Sequence, residues 1–145
     1  MTRSLNILIA EDEAGIRDAL GELLESEGHR CRLANDGQHA ADALGAGERF
    51  DLLVSDFRMP RMDGVSLLHW CRQNGFHFPV IFITANRELF PLENEALHDC
   101  CAALLRKPIH IDEFLDAVTA AMERSHVRDC AQPPSDGEAG QPKTT

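Results

Sequence analysis

Several patterns that mark other protein classes are missing from this chain. It has no tyrosine and one tryptophan, and 14 lysine and arginine residues face 24 acidic ones, for a formal net charge of -10. This acidic balance argues against binding nucleic acid through a basic face. No apolar run approaches the roughly 20 residues that span a bilayer, and the N-terminus lacks a signal-peptide pattern. We therefore expect a cytoplasmic protein with no direct contact to nucleic acid or membrane.

The five cysteines form no metal or disulfide pattern. Their number is odd and none pairs as C-x-x-C, so reduced thiols are the better prediction. The adjacent Cys100 and Cys101 raise the question of oxidation sensing, but packing is the stronger hypothesis. The chain also has no Walker-type glycine-rich loop, no Ser-His-Asp order and no Rossmann fingerprint.

Short apolar segments alternate with amphipathic ones along the chain. Strands are predicted at residues 5–10, 30–34, 52–54, 79–84 and 103–105. Apolar residues at helical spacing predict a helix after each strand; the weakest is the fourth, where Pro91 can open the helix, and Asp112 is the predicted N-cap of the last. Strict alternation predicts a single α/β domain, a doubly wound (βα)5 sandwich around a parallel sheet.

Composition changes near the end of the chain. From about residue 127, Pro-Pro, Asp-Gly and Gln-Pro pairs replace the apolar periodicity. Such a segment cannot bury enough apolar surface to become ordered. We therefore predict a folded domain over residues 1–126 and a disordered tail or linker over 127–145.

Residues with chemical uses follow four of the five predicted strands. They are Glu11 and Asp12 after the first strand, Asp56 after the third, Thr84 after the fourth and Lys107 after the fifth. The carboxyl ends of parallel strands share one edge of the sheet, so these side chains should converge. Clustered carboxylates resist joint ionisation unless a cation compensates, and Mg²⁺ suits such oxygen ligands. A hydroxyl and an ammonium group beside them favour a phosphoryl site, in which one carboxylate can be the nucleophile.

This combination resembles the receiver domain of two-component response regulators. The resemblance spans about residues 4 to 124 and is carried by Glu11-Asp12, Asp56-x3-Pro60-x2-Asp63-Gly64, Thr84-Ala85 and Lys107-Pro108. It implies a flavodoxin-like strand order of 2-1-3-4-5. It also implies phosphorelay signalling rather than an enzyme: a switch that assists its own phosphorylation and dephosphorylation.

The resemblance assigns the acidic residues their roles. Asp56 would accept a phosphoryl group from a sensor histidine kinase or a phosphotransfer protein. Asp12 would ligate Mg²⁺ directly and Glu11 mainly through water. Asp56 itself and the backbone carbonyl of Arg58 would complete the protein ligands.

The remaining site residues would contact the phosphoryl group or border it. Thr84 would hydrogen-bond one phosphoryl oxygen and Lys107 would pair with another, while the small Ala85 leaves the pocket open. The Lys107-Pro108 peptide bond would be cis, an isomer that is rare outside prolyl bonds.

Two rim positions and one switch position complete the implied site. Arg58 and Asn86 lie two residues beyond Asp56 and Thr84, where they would set the phosphoryl lifetime. The family usually carries a tyrosine or phenylalanine three residues before the lysine; here that residue is Leu104.

Several functions stay open from the sequence. The leading hypothesis is a stand-alone switch that acts on an unknown downstream protein through its fourth helix, fifth strand and fifth helix. An alternative is the receiver portion of a longer regulator or hybrid kinase. A Mg²⁺-dependent phosphatase would usually have a second acid two residues after the nucleophile, where this chain has Arg58. A pseudo-receiver that only binds partners and a homodimer through the last helix are further options.

Overall fold

Strands and helices alternate along the whole described chain. The computed structural model describes residues 4–98 and 102–127. The strands are β1 (Asn6–Ala10), β2 (Arg30–Ala34), β3 (Leu52–Asp56), β4 (Val80–Thr84) and β5 (Ala102–Arg106). The helices are α1 (Ala14–Ser26), α2 (Gly37–Gly45), α3 (Gly64–Gln73), α4 (Pro91–Ala96) and α5 (Ile111–Val127).

The five strands form one parallel sheet in the order β2-β1-β3-β4-β5. This confirms the predicted fold class and the flavodoxin-like order. The order reverses between β1 and β3, which pair directly. Ligands of open α/β sheets bind beyond the carboxyl ends of the strands at such a reversal.

The sheet separates two apolar layers. One layer includes Leu8, Leu53, Phe57, Leu67 and Phe82, and the other includes Ile7, Ile9, Leu24, Ile81 and Phe114. Every residue of β3 and β4 is buried, as expected for central strands covered on both faces. Each buried large apolar side chain contributes about 1.5–3 kcal/mol. The apolar strand bodies therefore fix the sheet, and their polar ends are left for the site.

Local helix starts differ in part from the prediction. Pro91 is the first residue of α4, as expected. The assignment of Asp112 as an N-cap is wrong, because α5 begins at Ile111 and Asp112 lies in its first turn. A carboxylate there is still favoured by the helix dipole. Two N-caps were missed: Asp36 accepts from the backbone N–H of His39, and Asp63 caps α3 in the same way.

Parts of the sequence prediction lie outside the described residues. They include Cys100, Cys101 and the segment 128–145, while α5 itself extends to Val127. Burial raises the pKa of Cys31 to about 11 and that of Cys71 to about 12, which favours inert thiols. Among the described residues, no helix combines the length and apolar character needed to cross a membrane.

Candidate functional site

Three carboxylates meet at the carboxyl edge of the sheet. Glu11 and Asp12 follow β1, and Asp56 is the last residue of β3, the strand that pairs with β1. One carboxylate oxygen from each lies within 4.8 Å of the others. Glu11 and Asp56 are buried, while Asp12 is exposed. The convergence expected from the strand ends is therefore present, with one acid open to solvent.

Lys107 reaches into this acidic cluster from the end of β5. Its Nζ lies 2.9 Å from Oδ2 of Asp56, 3.2 Å from Oε1 of Glu11 and 3.6 Å from Oε1 of Glu13. Its backbone N–H donates to the carbonyl of Thr84. Burial opposes the ammonium charge, but the hydrogen bond and charge of Asp56 outweigh it, so the pKa of Lys107 lies above its usual value. The site thus holds a permanent positive charge against Asp56. The Lys107–Pro108 peptide bond is cis.

Glu11 carries the electrostatic cost of the cluster. Burial raises the pKa of Glu11 to about 7, against the hydrogen bond from the backbone N–H of Glu13 and with added repulsion from Asp56. Within the described part of the chain, Oε1 of Glu11 is buried and accepts no hydrogen bond, although Lys107 lies 3.2 Å away. The ammonium of Lys107 offsets only part of the charge of the three carboxylates, and a hard divalent cation would offset the rest. The residues therefore fit Mg²⁺.

The end of β4 contributes a hydroxyl group, and the loop that follows lines an open cavity. Thr84 is buried, and its Oγ1 accepts a hydrogen bond of 3.1 Å from the backbone N–H of Asn86. That contact uses a lone pair and leaves the hydroxyl hydrogen for another acceptor. Ala85 and Asn86 are exposed and, with Lys107, line an open cavity of about 440 Å³. Arg106 fastens the loop by donating to the carbonyl of Asn86 at 2.8 Å.

The side chain of Arg58 is directed to α4 rather than to Asp56. Its Nε and one terminal nitrogen each donate to Glu93 at 2.9 Å, and its guanidinium lies 3.9 Å from the ring centroid of Phe90. The Arg58 hydrogen bond holds the pKa of Glu93 below its usual value. Sequence reasoning missed Glu93, because a partner 35 residues away leaves no local pattern. The only available sign was its place in the first turn after Pro91, where a glutamate often reaches back to the helix start.

A second ion pair, formed by Arg61, holds the loop between β3 and α3. Arg61 donates to Asp36 at 2.7 and 3.2 Å, and it has a φ of 68°, which is uncommon for a residue other than glycine. The Arg61 hydrogen bond lowers the pKa of Asp36. A Cβ on Gly37 would lie 2.1 Å from the carbonyl oxygen of Met62, so only glycine allows this close approach. The β3–α3 loop is therefore held at two points, by Arg58 to α4 and by Arg61 to the start of α2.

Leu104 occupies the position where the family usually has an aromatic ring. It is half-buried on β5 and lies opposite Phe82 of β4 in the strand register. The nearby ring contact is between Phe57 and Phe82, which stack at 4.4 Å and are both buried. Both rings are fully enclosed in one core layer, and neither is exposed to solvent.

Comparison with known proteins identifies the family. A family model described as the response regulator receiver domain matches residues 7–119. The chain belongs to this family. Receiver domains bind Mg²⁺ at an acidic pocket and interact with a histidine kinase or phosphotransfer partner, so phosphotransfer is the role expected here.

Curated relatives show the same membership. The chain is 35% identical over 125 residues to the transcriptional regulatory protein FixJ of Bradyrhizobium diazoefficiens, covering 86% of this chain and 60% of FixJ. It is 32% identical over 129 residues to the response regulator MprA of Mycobacterium bovis, covering 89% of this chain and 55% of MprA. With the sensor histidine kinase RcsC of Escherichia coli it shares 36% over 118 residues, 12% of that protein. The chain therefore spans at most about three fifths of these relatives.

Solved receiver structures have the same fold. The receiver domain of the Francisella response regulator 1452 superposes with a TM-score of 0.74 at 30% identity, covering 84% of this chain and 99% of that one. The signal receiver domain of an HD domain-containing protein from Pseudomonas fluorescens gives a TM-score of 0.78 at 28% identity, with 86% and 99% covered.

Proposed function

We propose that this receiver domain is a phosphoryl switch whose acceptor is Asp56. The observation that carries the proposal is the contact of 2.9 Å between Oδ2 of Asp56 and Nζ of Lys107, inside a cluster of three carboxylates. An acceptor carboxylate needs a neighbour that offsets the charge gained on phosphorylation, and preorganised charges of this kind supply most of the catalysis in phosphoryl transfer.

The proposed reaction is a direct transfer of the phosphoryl group from a phosphohistidine to Asp56. An oxygen of Asp56 attacks the phosphorus of a phosphohistidine, so that an O–P bond forms as the P–N bond breaks. The departing imidazole keeps the electron pair and is protonated from solvent. Lys107 balances charge on the phosphoryl oxygens, and Thr84 donates its unused hydroxyl hydrogen to one of them. Attack of water on phosphorus returns the Asp56 carboxylate and inorganic phosphate.

Mg²⁺ is the proposed cofactor of this step. Asp12, Asp56, Glu11 and the backbone carbonyl of Arg58 would hold it, and the support for this site is the convergence of the three carboxylates within 4.8 Å of one another. When bound, the ion offsets the negative charge of the carboxylates and the phosphoryl oxygens. Arg58 and Asn86, two residues beyond Asp56 and Thr84, would set the phosphoryl lifetime by controlling access of the hydrolytic water.

Incubation with Mg²⁺ and a small phosphodonor such as acetyl phosphate tests the proposal. We expect the intact protein to gain the mass of one phosphoryl group, and we expect chelation of Mg²⁺ to prevent the gain. Asp56→Asn should abolish it, whereas Asp51→Asn, an acid outside the cluster, should not. An unlabelled wild-type protein would contradict the proposal and leave the pseudo-receiver hypothesis.

A signalling switch is distinguished from a phosphatase by stoichiometry. The proposed switch accumulates one phosphoryl group on itself and does not turn over a phosphate ester, and in that sense it is not an enzyme. Steady release of phosphate from a phosphate ester, with no labelled protein, would favour the phosphatase. The arginine at position 58 argues against that alternative, since such an enzyme usually has an acid two residues after the nucleophile.

A groove beside the acidic cluster supports docking of the phosphodonor protein. It has a volume of about 390 Å³ and is lined by apolar residues of α1 and by the segment from Lys107 to Ile111. A helix of a histidine kinase or phosphotransfer protein seated there would bring a phosphohistidine to Asp56. Ala19→Arg, at an exposed position of the groove, should therefore slow labelling by a protein donor at least about tenfold. Labelling by acetyl phosphate should be unchanged, and equal loss with both donors would contradict this docking site.

The output is proposed to act through the surface of α4, β5 and α5. Phe90 and Leu92 expose 59% and 60% of their surface at the start of α4, which suits a protein partner with an apolar surface. The net charge of -10 disfavours a direct nucleic-acid partner. Because FixJ and MprA are longer than the match, the receiver portion of a longer regulator stays a hypothesis beside the stand-alone switch.

A further inference from the structure

Arg58 links the loop that follows Asp56 to the start of α4. It lies two residues after Asp56, and its backbone N–H lies 3.4 Å from Oδ1 of that residue. Its side chain crosses to α4, where both oxygens of Glu93 accept from it at 2.9 Å, and to the preceding loop, where the carbonyl of Glu88 accepts at 3.4 Å. Arg58 is therefore close to the acidic cluster in sequence, while its guanidinium contacts α4.

The buried negative charge of Glu93 is compensated by Arg58. Glu93 is 3% exposed, and its Oε1 also accepts a hydrogen bond of 2.8 Å from the backbone N–H of Phe90, at the start of α4. A buried charge that loses its partner is strongly destabilised. If Arg58 left, Glu93 would have to move toward solvent or become protonated, and the start of α4 would lose the side chain that ties it down.

We propose that a phosphoryl group on Asp56 and the carboxylate of Glu93 compete for the guanidinium of Arg58, and that this competition transmits phosphorylation to α4. The proposal rests on the proposed function, since it requires Asp56 to be the acceptor. Arg58 becomes a phosphoryl-binding residue in the phosphorylated state, and Glu93 is the positioning residue that withholds it before phosphorylation.

Charge and geometry favour the competition. Phosphorylation adds about -1.5 to -2 charges to Asp56, whose carboxylate charge already acts on the guanidinium of Arg58. The planar guanidinium forms paired hydrogen bonds with phosphoryl oxygens as readily as with a carboxylate. Its side chain is about one third exposed, so it can move without crossing the core. Leu104 offers no ring that could carry the message by rotating, whereas the arginine pair joins the acceptor loop to α4 directly.

Thermodynamic reciprocity makes the proposal measurable. If a phosphoryl group weakens the pair, then breaking the pair must strengthen phosphoryl binding by the same factor. Beryllofluoride with Mg²⁺, which imitates a phosphoryl group on a carboxylate, is the probe, and its affinity is measured by calorimetry. We expect Glu93→Gln to bind it about 5-fold or more tightly than wild type. Glu95→Gln, an exposed glutamate on the same helix, should bind as wild type does.

A double-mutant cycle separates this role from general loosening of the helix. In an Arg58→Gln background, Glu93→Gln should change the affinity for beryllofluoride by less than about twofold, since the two residues then no longer share a guanidinium. Equal affinities of Glu93→Gln and wild type would overturn the proposal. A gain that persists without Arg58 would overturn it as well.

Amide hydrogen exchange of residues 88–97 supplies the second readout. Exchange should rise when wild type binds beryllofluoride, and it should already be raised in unbound Glu93→Gln. Unchanged exchange in wild type that has bound the probe overturns the inference but leaves the acceptor role of Asp56 intact. Failure of wild type to bind the probe, with no labelling by acetyl phosphate, overturns both proposals.

Discussion

Lys107 donates a hydrogen bond of 2.9 Å to Asp56 across 51 residues of sequence. The two residues do not lie on paired strands: Asp56 ends β3 and Lys107 follows β5, with β4 between them. The length of the lysine side chain bridges that strand. The contact therefore depends on the whole order β3-β4-β5, and it links the correctness of the sheet to the chemistry at its edge.

Replacing Lys107 tests the charge balance at the acceptor. Lys107→Ala should slow labelling by acetyl phosphate about 100-fold, the cost typical of removing one charge-stabilising donor. Lys107→Arg keeps the charge but changes its shape and should fall between the alanine variant and wild type. Rates are measured by intact mass over time, at saturating Mg²⁺. An alanine variant that is labelled as fast as wild type would show that the ammonium has no part in the transfer.

The exposed acid of the cluster should determine metal affinity. Asp12→Asn removes a charged oxygen ligand, so Mg²⁺ affinity measured by calorimetric titration should fall at least about tenfold. Asp18→Asn changes an exposed acid on α1 and serves as the control. Equal affinities of Asp12→Asn and Asp18→Asn would place the ion elsewhere.

Gly37 and Gly45, at opposite ends of α2, should respond in opposite ways to a methyl group. A Cβ at Gly37 would meet the carbonyl oxygen of Met62 at 2.1 Å, whereas one at Gly45 meets no atom within 4 Å. Gly37→Ala should therefore lower the free energy of unfolding by about 1–3 kcal/mol. Gly45→Ala should raise it by about 0.5–1 kcal/mol, and urea titration measures both. A stabilising Gly37→Ala would contradict the close approach of α2 and the β3–α3 loop.

His29 should make stability depend on pH. Its Nδ1 accepts from the backbone N–H of Leu5 at 3.1 Å, and burial lowers its pKa, against the opposing charge of Glu27. Above about pH 6.5 the ring is neutral in both the folded and the unfolded state, so the contribution of His29 to the free energy of unfolding is fully present. As the pH falls below that value, the unfolded chain takes up the proton first, and this contribution is lost.

Urea titrations at about pH 7.5 and about pH 5.5 bracket this loss. We expect His29→Gln to reduce the difference in unfolding free energy between the two conditions. His69→Gln, an exposed histidine on α3, should leave the wild-type difference unchanged. An identical pH difference in wild type and His29→Gln would show that the ring does not resist protonation in the folded state.

The sequence predicted the sheet well because its strands are short apolar runs. Runs such as residues 79–84 are buried on both faces, so their pattern depends little on the neighbouring elements. The clustering of Glu11, Asp12 and Asp56 also followed from the sequence, since parallel strands place their ends at one edge. The sheet and the acidic cluster were therefore predictable because the strand topology alone determines them.

The arginine pairs of the β3–α3 loop were not predictable in the same way. Arg58 and Arg61 lie three residues apart, yet one binds Glu93 of α4 and the other binds Asp36 at the start of α2. Both partners are distant in sequence, and the choice between them depends on side-chain directions in an irregular loop. The N-cap role of Asp36 left only a weak local sign, an Asn-Asp-Gly turn that also precedes many loops.

Chemical localisation of the phosphoryl group decides whether Asp56 is the acceptor. Protein labelled with acetyl phosphate and Mg²⁺ is reduced with borohydride, which converts an aspartyl phosphate to homoserine with release of phosphate, and the digested peptides are weighed. We expect homoserine at position 56 alone, and none without Mg²⁺. Homoserine at Asp12 or another acid, with Asp56 unmodified, would contradict it.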